Sequence, residues 1–119
     1  MGKVLVVDDE VEICLLVTQY LKKLGYETSF CLSIAEAHDK ISTSAYDLLF
    51  VDLNLRDGSG YDLINVLQKT NSPSKVIVIS AYDSEGQKAL QNGANYFLAK
   101  PFTKKAIDDS LKKINFLTK

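Results

Sequence analysis

KVLVVDDEVEICLLVTQYLKKLG, residues 3–25, holds a strand followed by a helix, and the rest of the chain repeats that unit. Lys3 to Val7 is a short β-branched run of the kind that fits a pleated, buried sheet. Beyond it, Ile13, Leu16, Val17, Tyr20, Leu21 and Leu24 fall at spacings that mark one face of a helix. Lys22 and Lys23 suit the end of that helix, because cations oppose the partial negative charge of the last carbonyls, and Gly25 suits the left-handed residue that closes it.

Outward from this unit, Glu27 to Cys31 reads as a second, more polar strand, and Ser33-Ile-Ala-Glu36 is a capping box opening a helix through about Ser42. Leu48 to Leu53 is a third strand and Tyr61 to Lys69 a third helix. Lys75 to Ser80 is a fourth strand, Ser84 to Asn92 a fourth helix and Asn95 to Ala99 a fifth strand. Thr103 can cap a last helix with Ile107, Leu111 and Ile114 on one side. Strict alternation of strand and helix predicts a parallel sheet with helices on both faces, since parallel strands need crossover connections. The continuous apolar runs of strands one, three and four place them in the middle. Helix four carries Gly86 inside it and relies on Ala89 and Leu90 as apolar anchors, so its local stability is expected to be low.

At 119 residues and 46% hydrophobic, the chain fits one domain, residues 1–119, with a single core. A net charge of -1 with interspersed signs leaves no electrostatic footprint for nucleic acid or an anionic membrane. The apolar runs are far shorter than a membrane span and the N-terminus has no signal-peptide pattern, so the expected location is the cytoplasm. Cys14 and Cys31 lack the spacing of a zinc site or disulfide framework and are expected to be core thiols. His38 sits among polar residues on a helix, where a solvated side chain is expected.

In open parallel sheets ligands bind beyond the carboxyl ends of the strands. Here strand one ends in Asp8-Asp9-Glu10, strand three in Asp52, strand four in Ser80 and strand five in Lys100-Pro101. A lone Asp, Ser or Lys at such a place is usually a turn former or a solvated group. Five suitable groups on four strands point instead to a built site. Carboxylates gathered on one rim repel each other, and oxygen ligands partly completed by water and phosphate suit Mg2+. With Lys100 as a second cation, the rim can spread the charge of a phosphoryl group in transfer, and Asp52 can serve as its nucleophile. Ser80 has no base beside it in sequence and reads as a hydroxyl donor that senses phosphate. Asp57, in Asp57-Gly58-Ser59-Gly60, is a turn signature and stays outside the site.

Four motifs, Val-Leu-Val-Val-Asp8-Asp9-Glu10, Asp47-Leu-Leu-Phe-Val-Asp52-Leu-Asn-Leu, Val-Ile-Val-Ile-Ser80-Ala81 and Gly93-Ala-Asn-Tyr-Phe97-Leu-Ala-Lys100-Pro101-Phe102, occur in order. Together they resemble the receiver domain of response regulators from two-component signalling, over essentially the whole chain. The resemblance implies a flavodoxin-like (βα)5 fold with strand order 2-1-3-4-5. It implies Asp52 as phosphoacceptor, Mg2+ held by Asp8, Asp9, Asp52 and the backbone carbonyl of Asn54, and Lys100 pairing with the acceptor or its phosphate. Ser80 and Phe97 take the family's switch positions, the Lys100-Pro101 peptide is expected to be cis, and Asn54 and Tyr82 fall where the family tunes the lifetime of the phosphoryl bond. Arg56 departs from the family's common proline.

The implied partners are a sensor histidine kinase or histidine phosphotransfer protein as donor, and an output domain, target protein or second copy at helix four, strand five and helix five. Such a module acts on itself and is no turnover enzyme. Three other classes compete with this reading. A haloacid-dehalogenase-type aspartyl-phosphate phosphatase needs a second Asp where Asn54 stands. A flavodoxin-like flavin binder needs a phosphate cradle where Asp8-Asp9-Glu10 stand. An unphosphorylated scaffold of receiver fold would not be expected to keep every site residue.

Overall fold

The computed structural model describes residues 2–116. Five strands, β1 (Lys3–Val7), β2 (Glu27–Cys31), β3 (Leu48–Asp52), β4 (Lys75–Ser80) and β5 (Tyr96–Ala99), form one parallel sheet in the order β2-β1-β3-β4-β5. Five helices connect and follow them: α1 (Val11–Lys23), α2 (Ile34–Thr43), α3 (Gly60–Lys69), α4 (Gly86–Gln91) and α5 (Lys104–Lys113). This is the flavodoxin-like doubly wound sheet, with the apolar strands β1, β3 and β4 at its centre.

Alternate residues of those central strands feed two cores. Val4, Val6, Leu48, Phe50, Ile77 and Ile79 pack with α1 and α5, while Leu5, Val7, Leu49, Val51, Val76 and Val78 pack with α2, α3 and Ala89 of α4. Both faces are covered, which is why the strands carry no alternating polar residues. The register Leu48–Lys75 through Asp52–Ile79 then sets the carboxyl ends of β3 and β4 side by side.

The helix ends follow their local chemistry. Gly25 closes α1 at φ 101°, with its N–H donating to the Lys22 carbonyl and that of Tyr26 to the Leu21 carbonyl. Ser33 accepts from the N–H of Glu36, and Thr103 accepts from that of Ala106. The Glu36 carboxylate reaches back to the N–H of Leu32, one residue before the cap.

Two helix faces differ from expectation. In α1 the buried stripe is Cys14, Val17, Thr18 and Leu21, whereas Leu16 and Leu24 stand exposed together with Val11 and Leu15. The helix is apolar over more than one side, so spacing alone cannot select the side that meets the sheet. The fourth helical segment is a 3-10 turn, Asp83–Glu85, followed by six α-helical residues, and of its expected anchors Ala89 is fully buried while Leu90 is half exposed.

Between β3 and α3 the chain makes a two-residue antiparallel ladder, Asn54–Leu55 against Gly58–Ser59. Gly60 opens α3 so close to β3 that a Cβ there would lie 2.4 Å from the Asp52 carbonyl oxygen, so the approach admits only glycine without a backbone shift. Asp57, at the tip of this loop, caps α2 from outside: its carboxylate accepts from the N–H groups of Ile34 (2.9 Å) and Ala35 (3.1 Å). Those two bonds hold its pKa below the ordinary carboxylate value. Asp57→Ala is therefore expected to leave two donors of α2 uncapped and to cost about 1 kcal/mol of stability, read as the free energy of urea unfolding. An unchanged value would show that solvent replaces the cap at no cost.

Candidate functional site

The site is assembled from strand ends. Asp8 follows β1 directly, Asp52 is the last residue of β3, Ser80 the last of β4, and Lys100 follows β5. The Lys100 N–H donates to the Ser80 carbonyl at 2.7 Å and the Asp8 N–H to the Cys31 carbonyl at 3.2 Å, so the strand ladders continue to the rim and fix these backbones. The Lys100-Pro101 peptide is cis.

The Lys100 ammonium stands among three carboxylates: Glu10 Oε1 at 2.7 Å, Asp8 Oδ2 at 3.0 Å and Asp52 Oδ2 at 3.1 Å. The other Asp52 oxygen accepts from the N–H of Asn54 at 3.1 Å, and Asp8 Oδ1 accepts from the N–H of Glu10 at 2.8 Å. Asp8 and Asp52 are buried and Asp9 is half-buried, with one oxygen of each lying within 4.8 Å of the others. Among the described residues, Asp9 has only the exposed Arg56 guanidinium, at 3.9 Å, as a counter-charge.

Burial pushes the Asp8 carboxyl up to about 6, against its bond from Glu10 and the charge of Lys100. Burial alone would lower the pKa of Lys100, but its close charge pairing with Glu10 and Asp8 outweighs that and raises it, so the ammonium is fixed in its charged form. Asp8 Oδ2 is buried and, although charge-paired with Lys100, makes no hydrogen bond of good geometry. A buried carboxylate oxygen left this way, beside two more carboxylates, fits a hard divalent cation.

An open cleft of roughly 620 Å3 runs over this rim, lined among others by Asp9, Glu10, Asp52, Asn54, Tyr82 and Lys100. Ser80 is fully buried behind it, with its hydroxyl donating to Glu85 Oε1 at 2.6 Å. Phe97 is half-buried on β5 and packs against the core on the α3 and α4 side. Tyr82 is widely exposed at the mouth of the cleft.

The structure thus brings Asp8, Asp9, Asp52, Asn54 and Lys100 together, and sets Ser80 apart from them by its bond to Glu85. Glu85 carries no sequence motif; its signal is a carboxylate five residues after the strand-end hydroxyl. Cys14 and Cys31 are buried free thiols, pushed up by burial to about 12 and about 11, and belong to the core. His38 is half-buried on α2, away from the strand-end residues of the cleft.

A family model described as the response regulator receiver domain matches residues 4–112. Among curated proteins, the sensory transduction protein LytT of Bacillus cereus is 34% identical over 119 residues, covering 95% of this chain and 47% of that protein. The response regulator protein PilR of Pseudomonas aeruginosa is 36% identical over 101 residues, 83% of this chain and 23% of that protein. The chain spans about half the length of these relatives or less. Among solved structures, the response regulator TrrA of Thermotoga maritima in complex with Mg2+-BeF superposes with a TM-score of 0.85 at 28% identity, over 96% of this chain and 99% of that one. A two-component response regulator from Clostridium difficile gives 0.88 at 24% identity, over 97% and 96%, and speaks to the fold alone.

The crowding has a consequence for stability. Asp8 binds its proton more tightly folded than unfolded, where its pKa is near 3.8, so its contribution to stability falls as pH rises from about 4 through about 6. In chelator, Asp8→Asn is expected to unfold about 4 °C above the unmodified protein at about pH 7.5, and at a similar temperature near pH 4. A lower Tm for the variant at neutral pH would contradict this electrostatic picture.

Proposed function

The chain belongs to the response regulator receiver family of two-component systems, and from that premise we propose that Asp52 accepts a phosphoryl group from a phosphohistidine in a Mg2+-dependent reaction and passes the change to an output partner. Receiver domains are signalling proteins that are phosphorylated by sensor kinases and signal to output domains. The observation that carries the reading for this chain is the contact of Lys100 Nζ with Asp52 Oδ2 inside a ring of further carboxylates.

Asp52 is oriented for this task by the Asn54 N–H on one oxygen and the Lys100 ammonium on the other. A carboxylate oxygen of Asp52 forms the new O–P bond as the N–P bond of the phosphohistidine breaks. The electron pair stays on the imidazole nitrogen, which takes up a proton. Lys100, kept cationic by its carboxylate neighbours, stays beside the phosphoryl oxygens as charge collects on them. Asp8, Asp9, Asp52 and the Asn54 carbonyl would hold Mg2+, which when bound supplies the divalent charge that offsets the carboxylates and the phosphoryl group. Water attacking phosphorus later restores Asp52, and Asn54 and Tyr82, both lining the cleft, set its access.

In this reading residues 1–119 act as one receiver unit, of which Met1 and residues 117–119 lie outside the described residues. A sensor histidine kinase or histidine phosphotransfer protein donates the phosphoryl group in the cytoplasm, and an output domain, target or second copy is met through α4, β5 and α5. The half-exposed Leu90 on α4 favours that face. No helix among the described residues is long and apolar enough to cross a membrane. Ser80 and Phe97 carry the switch, the hydroxyl turning toward the phosphate and the ring changing rotamer with it.

Incubation with a small phosphodonor, read by intact mass, tests the assignment. The expected result is a gain of one phosphoryl group with Mg2+, none in chelator and none in Asp52→Asn under either condition. Absence of any gain in the unmodified protein would move the balance to a receiver-fold scaffold that works by binding alone.

A further inference from the structure

The Ser80 hydroxyl is fully committed in this structure. It donates its single proton to Glu85 Oε1 at 2.6 Å, accepts from the N–H of Tyr82 at 3.1 Å, and is fully buried and absent from the lining of the cleft. The Glu85 N–H in turn donates to the Tyr82 carbonyl at 3.1 Å, so Ser80, Tyr82 and Glu85 close a small loop of hydrogen bonds around the 3-10 turn. A hydroxyl has one proton to give, and a bond from it to a carboxylate is among the stronger ones available to it.

We propose that Glu85 is a positioning residue for the switch: its carboxylate holds the Ser80 hydroxyl away from the Asp52 cleft, so that Glu85 and the phosphoryl group compete for the same proton. The inference rests on the proposed function, and it assigns the resting partner of the hydroxyl to a residue of this chain. Phosphorylation then exchanges one charge-assisted hydrogen bond for another, and its net gain at Ser80 is only the difference between the two.

The surroundings of Glu85 suit such an exchange. The hydroxyl of Tyr61, on α3, is buried without a hydrogen-bond partner among the described residues. Its pKa is raised by burial and, next, by the charge of Glu85. Lys88 stands 5.4 Å from the centre of the Tyr61 ring, which places a cation over it. Gly86, the residue after Glu85, is so close to Phe97 that a Cβ there would lie 3.0 Å from the ring, so a shift of the turn reaches the aromatic switch position by direct contact.

Binding of beryllofluoride with Mg2+, a phosphoryl mimic, measured by calorimetry on the full chain tests this. Glu85→Ala is expected to bind it about tenfold more tightly, the worth of one charge-assisted hydrogen bond no longer given up. In a Ser80→Ala background the same Glu85→Ala change is expected to alter affinity by less than about twofold. Unchanged or weaker binding by Glu85→Ala overturns the latch. So does a gain that persists without the Ser80 hydroxyl, since that would be simple removal of a negative charge. Glu85→Gln, which keeps an acceptor oxygen but loses the charge, is expected to gain less than Glu85→Ala. Failure of the unmodified protein to bind beryllofluoride is a different result, which removes the proposed function and the latch with it.

Discussion

One ammonium group facing too many carboxylates is the constraint on which the rest of the molecule depends. Lys100 touches Asp8, Glu10 and Asp52, while Asp9 stands beside them and faces the exposed Arg56 at 3.9 Å. Taking charges out of water is costly, and a protein of this size has only about 5–15 kcal/mol of stability to set against such costs. The sheet offsets them through rigidity. Asp8 and Asp52 sit at or just past the ends of the central strands β1 and β3, which are buried on both faces, so these two carboxylates cannot drift apart to relieve the repulsion.

That rigidity is unevenly spread. The loop after β3 is fastened from three sides, by the short ladder Asn54–Leu55 with Gly58–Ser59, by Gly60 against the Asp52 carbonyl and by Asp57 on the end of α2. The connection after β4 is different in kind. A 3-10 turn leads into six helical residues with one fully buried side chain, Ala89. Asp52, the proposed acceptor, is therefore held firmly and the segment that would report its state is held lightly, an arrangement in which a small exchange of hydrogen bonds at Ser80 would be felt at Phe97.

Much of this is legible in the sequence. Strands β1 and β4 follow their apolar runs, because both faces of the middle of a parallel sheet demand hydrophobic residues, and the more polar β2 takes the edge. The strand-end residues follow, since topology fixes which end of each strand forms the rim. What escapes is decided by packing across the fold. The apolar residues of α1 outnumber those one face can bury, so only the sheet selects Cys14, Val17, Thr18 and Leu21 over Leu16 and Leu24. Asp57 reads as a turn and also caps a helix 22 residues earlier in the chain. Glu85 carries no motif, and its role comes into view only with the orientation of a buried hydroxyl.

The most direct test of the central claim, that this acidic ring is built one cation short, is titration of the unmodified protein with Mg2+ at neutral pH, followed by calorimetry and by Tm. The account requires one ion per chain and a Tm that rises with its concentration, with both effects lost when Asp52 becomes Asn. No heat of binding and an unchanged Tm would mean that Lys100 alone balances the ring, and would contradict the account.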